Sequence, residues 1–240
     1  MRAVVLQPTY LPWMGYFGMI DIADTFVFYD DVQFSVQSWQ QRNKIKSANG
    51  NWMWLSVPIV RKFGQNINVV RINNATNWKK KHWASIYQSY TKAPCFEQYK
   101  AEIEGIFQVE WENLGDLNIS IIRKLSKLLG VRMPEFIKSS EFGDIAGQKT
   151  DRLLLVLERI GADEYISGPA AKGYIDIDGF KESGMKLYWY EYKHPVYSQI
   201  KGDFMPYLSA IDLLFNTGGD AINYIREGSK NALILDEGIR

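Results

Sequence analysis

The first thirty residues constrain the fold more than any other part of this chain. Ala3-Val4-Val5-Leu6 is a short apolar run with turn chemistry behind it, the pattern of a buried strand. Pro8 and Pro12 keep the following segment extended, because each fixes its own φ and pushes its predecessor out of the α region. Trp13, Tyr16, Phe17, Ile20 and Ala23 then recur at helical spacing, so a helix is predicted from Trp13 to Ala23. Thr25 to Tyr29 has β-branched and aromatic strand composition. Strand, loop, helix and strand within so short a stretch make a βαβ unit, and such a unit builds a parallel sheet.

The same alternation continues downstream. Trp52 to Ile59 and Ile67 to Ile72 read as two strands around a turn at Lys62-Phe63-Gly64-Gln65. From Trp78 to Leu129 the pattern is helical, with Gly130 placed as a left-handed helix stop. Met133 to Ile137 is a short strand, Thr150 an N-cap for a helix over Asp151 to Ile160, and Gly161 its end. Tyr165-Ile166 and Leu187 to Tyr192 are further strands. Ser209 and Asp212 are spaced as a helix start, and a last helix covers Asp220 to Arg226. The fold expected is a layered α/β domain over residues 1–240 with a mainly parallel sheet. A helical insertion or second lobe is expected over 78–130.

Composition narrows the function classes. The 240 residues include 28 Lys and Arg against 27 Asp and Glu, a formal net charge of +1. Such a balance gives no overall field to gather nucleic acid, which is not expected as a partner. A single cysteine, Cys95, allows neither an intramolecular disulfide nor a cysteine-rich zinc site, and no metal is expected. The start of the chain lacks a secretory h-region and no apolar run reaches membrane-spanning length, so no integral membrane segment is expected and the cytoplasm is the simplest address. No sequence signal names a cofactor.

Chemistry-bearing residues gather behind the strands. Gln7, Pro8, Tyr10, Pro12, Trp13 and Tyr16 fall between the first strand and the first helix, where open α/β sheets bind ligands. Amides at that helix start suit a phosphate or carboxylate. Asp30 and Asp31 follow the second strand, and adjacent carboxylates can orient a hydroxyl or supply a base. Gln33, Arg42 and Asn43 add hydrogen-bonding groups and a forked cation for an anion. His82 opens a basic, aromatic helix, and its competing reading is a solvated helix face. His194 follows a strand and is either a general base or a hydrogen-bonded loop residue. Ser167, Gly168 and Lys172 form a second small-residue loop with one cation at phosphate-binding reach. HExxH, GxSxG and Walker A patterns are absent.

Taken in order, these segments resemble the WbqC-like protein family. The match runs through Gln7-Pro8-Thr9-Tyr10-Leu11-Pro12-Trp13-Met14-Gly15-Tyr16-Phe17, Tyr29-Asp30-Asp31-Val32-Gln33 and Ser38-Trp39-Gln40-Gln41-Arg42-Asn43-Lys44-Ile45. It continues through Trp78 with Lys81-His82, Tyr90 to Pro94, Ser139-Ser140-Glu141, Tyr165 to Pro169 and Ser209 to Gly218. The resemblance implies a role in bacterial O-antigen and related surface polysaccharides, with glycine or another aminoacyl or acyl group passed to a sugar-linked acceptor. A fainter resemblance, to nucleotidyltransferase-superfamily ligases such as pantothenate synthetase, implies a Rossmann-like scaffold. Those ligases carry His-x-Gly-His where this chain has Pro12-Trp13-Met14-Gly15-Tyr16.

Three functions follow as expectations. The first is a transferase taking an activated donor and a small-molecule or sugar-linked substrate in one cleft. There Gln7, Tyr10 and Tyr16 line the cleft, Asp30 or Asp31 is base or orienter, and Arg42, His82 and Lys172 hold the donor's anion. The second is an ATP-dependent ligase or nucleotidyltransferase-like enzyme. The third is a non-catalytic module binding a glycan precursor.

Overall fold

A computed structural model describes residues 1–239. Its strands are β1 (Arg2–Leu6), β2 (Thr25–Phe28), β3 (Arg42–Lys46), β4 (Trp52–Ser56), β5 (Glu135–Lys138), β6 (Glu164–Ser167), β7 (Lys186–Tyr190) and β8 (Leu233–Leu235). The helices are α1 (Met14–Ile22), α2 (Trp78–Tyr90), α3 (Phe96–Gln108), α4 (Leu114–Leu128), α5 (Lys149–Arg159), α6 (Ile177–Glu182), α7 (Ala210–Thr217) and α8 (Ala221–Ser229).

Six strands form one sheet in the order β5-β2-β1-β6-β7-β8. All neighbours pair in parallel except β7 and β8, which are antiparallel. Renumbered within the sheet this is 3-2-1-4-5-6, the doubly wound order of Rossmann-like sheets. The chain leaves β1 toward one edge, then returns across the molecule to β6 on β1's other side. The direction of winding therefore reverses between β1 and β6, and this fixes where a ligand crevice can form.

Strand alternation assigns each helix to a face. Ala3 and Val5 of β1 point into a core with Val27, Leu153, Val156, Leu157, Phe180 and Leu187, so α5 and α6 cover that side. Val4 points the other way, into a larger core holding Phe17 of α1, Leu117 and Ile121 of α4, Leu214 of α7 and Ile225 of α8. The helical stretch 78–129 lies in the long connection from β2 to β5. Its buried residues, among them Ile86, Phe96, Ile103 and Leu125, join this same core with Phe26 and Phe28. Gly130 and Gly161 follow α4 and α5 at φ +72° and +69°, the left-handed conformation that a helix stop favours.

Four details differ from the sequence reading. Ile67–Val69 is a 3-10 turn, not a strand, because carbonyls of Val32 and Asp30 take the amide protons of Ile67 and Asn68. The true hairpin is β3–β4, with Asn43, Ile45 and Leu55 buried beneath a polar and aromatic outer face. Thr150 lies inside α5, where its hydroxyl accepts the Asp176 amide at 2.9 Å, and Gln148 occupies the N-cap position. β8 is an additional strand, too short to announce itself. Among the described residues no helix is long and apolar enough to cross a membrane.

Candidate functional site

The carboxyl ends of β1 and β6 bring together the two loops singled out in the sequence. Gln7 stands exposed at the end of β1, and its side-chain Oε1 accepts Gln40 Nε2 at 2.7 Å. Tyr16 donates its hydroxyl to the Gln7 carbonyl at 3.2 Å. The loop behind Gln7 is held by neutral amides from elsewhere in the chain. Asn118 of α4 donates to the carbonyls of Pro8 and Gln40, at 3.1 and 2.8 Å, and Asn43 of β3 donates to Leu11 at 2.7 Å. Pro12 accepts the Ala210 amide at 2.8 Å. These partners hold Leu11 at φ +45°, a conformation that a branched side chain resists by roughly 1–3 kcal/mol. The loop is thereby set in one shape before any ligand arrives.

Trp13 corrects one expectation. Its indole folds back over the first turn of α1, so a Cβ at Gly15 would overlap the ring. The helix start is thus covered by an aromatic rather than opened to an anion. Trp13 also stacks on His194 at 6.2 Å between ring centroids and packs against Tyr192 and Tyr207. His194, half-buried in this aromatic group with Nδ1 on the Pro195 carbonyl at 2.9 Å, has its pKa lowered by burial. It is a packed loop histidine.

The carboxylates behind β2 are engaged rather than free. Asp30 is 2% exposed and accepts from Ser139 Oγ at 3.2 Å, the Ser140 amide at 3.0 Å and Ser140 Oγ at 2.8 Å. These bonds tie the end of β5 to the end of β2, so Asp30 positions the edge and does not stand ready as a base. Asp31 accepts from Ser139 Oγ and pairs with Arg152 of α5 at 2.7 Å, each side chain 14% exposed. Arg152 also lies over the Tyr29 ring, and its Nη1 is buried without a partner.

At β6, Ser167 is buried and accepts the Tyr165 hydroxyl at 3.4 Å. Gly168 leads into a 3-10 turn, Pro169–Gly173, which carries exposed Lys172. Lys172 pairs with Glu191, at the end of β7, at 2.9 Å.

His82 overturns both sequence readings. It is 6% exposed, neither a solvated face nor a cation for an anionic donor. Burial lowers its pKa to about 4, a shift that the Ser56 backbone carbonyl opposes. Its Nδ1 sits 2.8 Å from the Tyr10 hydroxyl. With the Ser56 carbonyl claiming the ring proton, Tyr10 donates to Nδ1, and the pair braces the Gln7 loop from behind. Tyr10 is itself fully buried and lines no cleft. Arg42 stacks on Trp54, 4.2 Å from the ring centroid, and Gln33 bridges to Asn66, so both flank the edge without entering it.

Sequence reasoning missed Arg152 and Asn118. Nothing local marks them, since each matters through partners more than seventy residues away. Two surface depressions, one beside Asp144 and Arg159 and one beside Asn77 and Lys80, contain none of the expected site residues. Among the described residues no cluster of three or more His, Cys, Asp or Glu is arranged to hold a metal ion.

The family model described as the WbqC-like protein family matches residues 7–224. An uncharacterized protein of Mycobacterium tuberculosis is 33% identical over 228 residues, covering 94% of this chain and 97% of that protein. No solved structure matches the chain significantly.

Proposed function

The chain belongs to the WbqC-like protein family, and from that premise we propose that it is a small-molecule transferase of bacterial surface-polysaccharide synthesis. It passes glycine, or another aminoacyl or acyl group, from an activated donor to a sugar-linked acceptor. The crevice between the ends of β1 and β6 holds both. The observation that carries this reading is the meeting of the Gln7 and Ser167-Gly168 loops at the switch point of the sheet, the place where open α/β sheets bind their ligands.

The side chains suit the two halves of such a reaction. Gln7, held in place by buried Gln40, presents a neutral amide, which discriminates sugar hydroxyls without attracting every anion. Lys172, paired only at the surface with Glu191, exchanges that partner for the donor's phosphate or carboxylate at small cost. Asp31, fixed by Arg152 and Ser139, orients the attacking group. Backbone amides at Gly168 and the turn after it stabilise charge developing at the attacked carbonyl.

A thermal-shift screen against nucleotides, nucleotide-sugars, amino acids and acyl-coenzyme A compounds tests the reading. A ligand at 100 times its dissociation constant adds about 2.7 kcal/mol, and the shift should vanish in Gln7→Ala and Lys172→Ala. A shift that survives both substitutions removes this crevice as the site. The strand order, shared with nucleotide-binding sheets, keeps an ATP-dependent ligase as second reading. Stabilisation by ATP alone, with pyrophosphate released on turnover, would decide for it.

A further inference from the structure

The near-zero net charge conceals a strong segregation. From Val32 to Phe96 the sequence contains no Asp or Glu, yet it carries ten Lys and Arg. The remaining residues hold eighteen Lys and Arg against twenty-seven Asp and Glu. The fold turns part of this segment into an exposed face. In the β3–β4 hairpin, Asn43, Ile45 and Leu55 point into the core, so Arg42, Lys44, Trp52 and Trp54 share the outer side. Trp39 joins them, its ring 5.6 Å from Trp54, which is 5.8 Å from Trp52. Arg42 lies over Trp54, and Lys44 lies between Trp52 and Trp54 at 4.3 and 5.1 Å.

The neighbouring loop repeats the chemistry. Val60-Arg61-Lys62-Phe63 follows soon after β4, and Phe63 is fully exposed. Hydrogen bonds from Phe34 to Gln65 and from Ser35 to Gln40 tie that loop, through the 33–41 segment, to Trp39. Trp39 is 50% exposed, Trp52 47% and Val36 53%. Acidic side chains from elsewhere meet other cations of the segment: Glu112 pairs with Arg71, Glu110 with Lys79, and Asp212 and Asp203 lie near buried Lys46. Among the described residues, Arg42, Lys44, Arg61 and Lys62 have no carboxylate partner within 4 Å.

We propose that this face docks the protein onto an anionic lipid bilayer, with Phe63 and the hairpin tryptophans entering the interfacial region and Arg42, Lys44, Arg61 and Lys62 meeting headgroup charge. Tryptophan is favoured at the headgroup level because its ring has an apolar body and a polar edge. Lysine and arginine close to such a surface each add attraction, and one apolar insertion with several cations makes a reversible peripheral anchor. Nucleic acid would use the cations and rings, but it has no need of exposed Val36, Val60 and Phe63. A bilayer uses all of them. This docking is independent of the reaction at the crevice. It places the crevice rim near the membrane, because Trp39 accepts the Tyr10 amide and Gln40 holds Gln7.

Co-sedimentation of the full chain with vesicles tests the proposal, using phosphatidylcholine alone and phosphatidylcholine mixed with phosphatidylglycerol, at low and high salt. Binding to the mixed vesicles at low salt is expected, with loss at high salt. Arg61→Gln and Lys62→Gln should each weaken it about fivefold, and Phe63→Ser about tenfold. All three positions are exposed, and unchanged melting temperatures will confirm that the variants fold. Absence of binding to mixed vesicles at low salt would overturn the proposal, as would binding that ignores these substitutions. Preferential capture by a single-stranded oligonucleotide in competition would reassign the face to a polyanion. A concentration-dependent dimer abolished by Phe63→Ser would reassign it to a second copy.

Discussion

Asp212→Asn should gain about 3 kcal/mol relative to the parent chain as pH rises from about 4 to about 7. Asp212 lies buried in α7. It accepts the Tyr90 hydroxyl at 3.0 Å on one oxygen, and the Tyr197 hydroxyl at 2.8 Å with Gln199 Nε2 at 2.9 Å on the other. Burial pushes its pKa up to about 6 from 3.8, despite those hydrogen bonds and nearby Lys46. Between these values the unfolded chain has released the proton and the folded chain has kept it. Stability contributed by this group is therefore greatest below the unfolded pKa and falls as pH rises through the window. Two units at 1.36 kcal/mol each give the total. Asparagine does not titrate, so the slope disappears. With its oxygen kept toward Tyr197 and Gln199, its NH2 faces the Tyr90 hydroxyl, which already accepts the Lys46 amide at 3.0 Å and whose own proton then loses its acceptor. That mismatch costs about 1–3 kcal/mol at every pH. The variant should be clearly less stable near pH 4 and close to the parent near pH 7.

The comparison must be made between variant and parent, because His82 contributes a slope of opposite sign over nearly the same range. Urea unfolding followed by circular dichroism at the two pH values supplies both differences. Equal losses at both would mean that Asp212 ionises normally in the fold. A larger loss near neutrality would mean that the ionised carboxylate, with Lys46, stabilises the chain. Either result refutes the reasoning.

Two further outcomes follow from other buried groups. His82 is held neutral by burial with a pKa of about 4, so its ring proton resonances should stay fixed down to about pH 5, and the stability of the parent chain relative to His82→Gln should fall by about 3 kcal/mol as pH drops from 6.5 to 4; a titration midpoint near 6.5 by NMR contradicts this. Arg152→Met should cost about 3 kcal/mol in chemical denaturation, because it leaves half-enclosed Asp31 with the Ser139 hydroxyl alone, and adding Asp31→Asn should recover part of the loss. A cost below about 1 kcal/mol would rank the pair with surface ion pairs.

The sequence by itself determined the βαβ opening, most of the parallel strands and the helix stops at Gly130 and Gly161. These are local matters of periodicity, propensity and left-handed backbone. It also placed two candidate ligand loops directly behind β1 and β6, because the loops that bind ligands in a parallel sheet follow strand ends. Tertiary structure decided the rest. Strand order, and with it the meeting of Gln7 with Ser167-Gly168, depends on how the chain returns from β5 to β6. No window of sequence records that return. The Ile67 segment lost its strand because the carbonyls of Asp30 and Val32 claimed its amides. Asp30 and His82 changed roles for one common reason: Ser139, Ser140 and Tyr10 reached them from distant parts of the chain. A carboxylate or imidazole shows its residue type in the sequence, but its charge and freedom to act depend on which groups surround it and how much water they exclude.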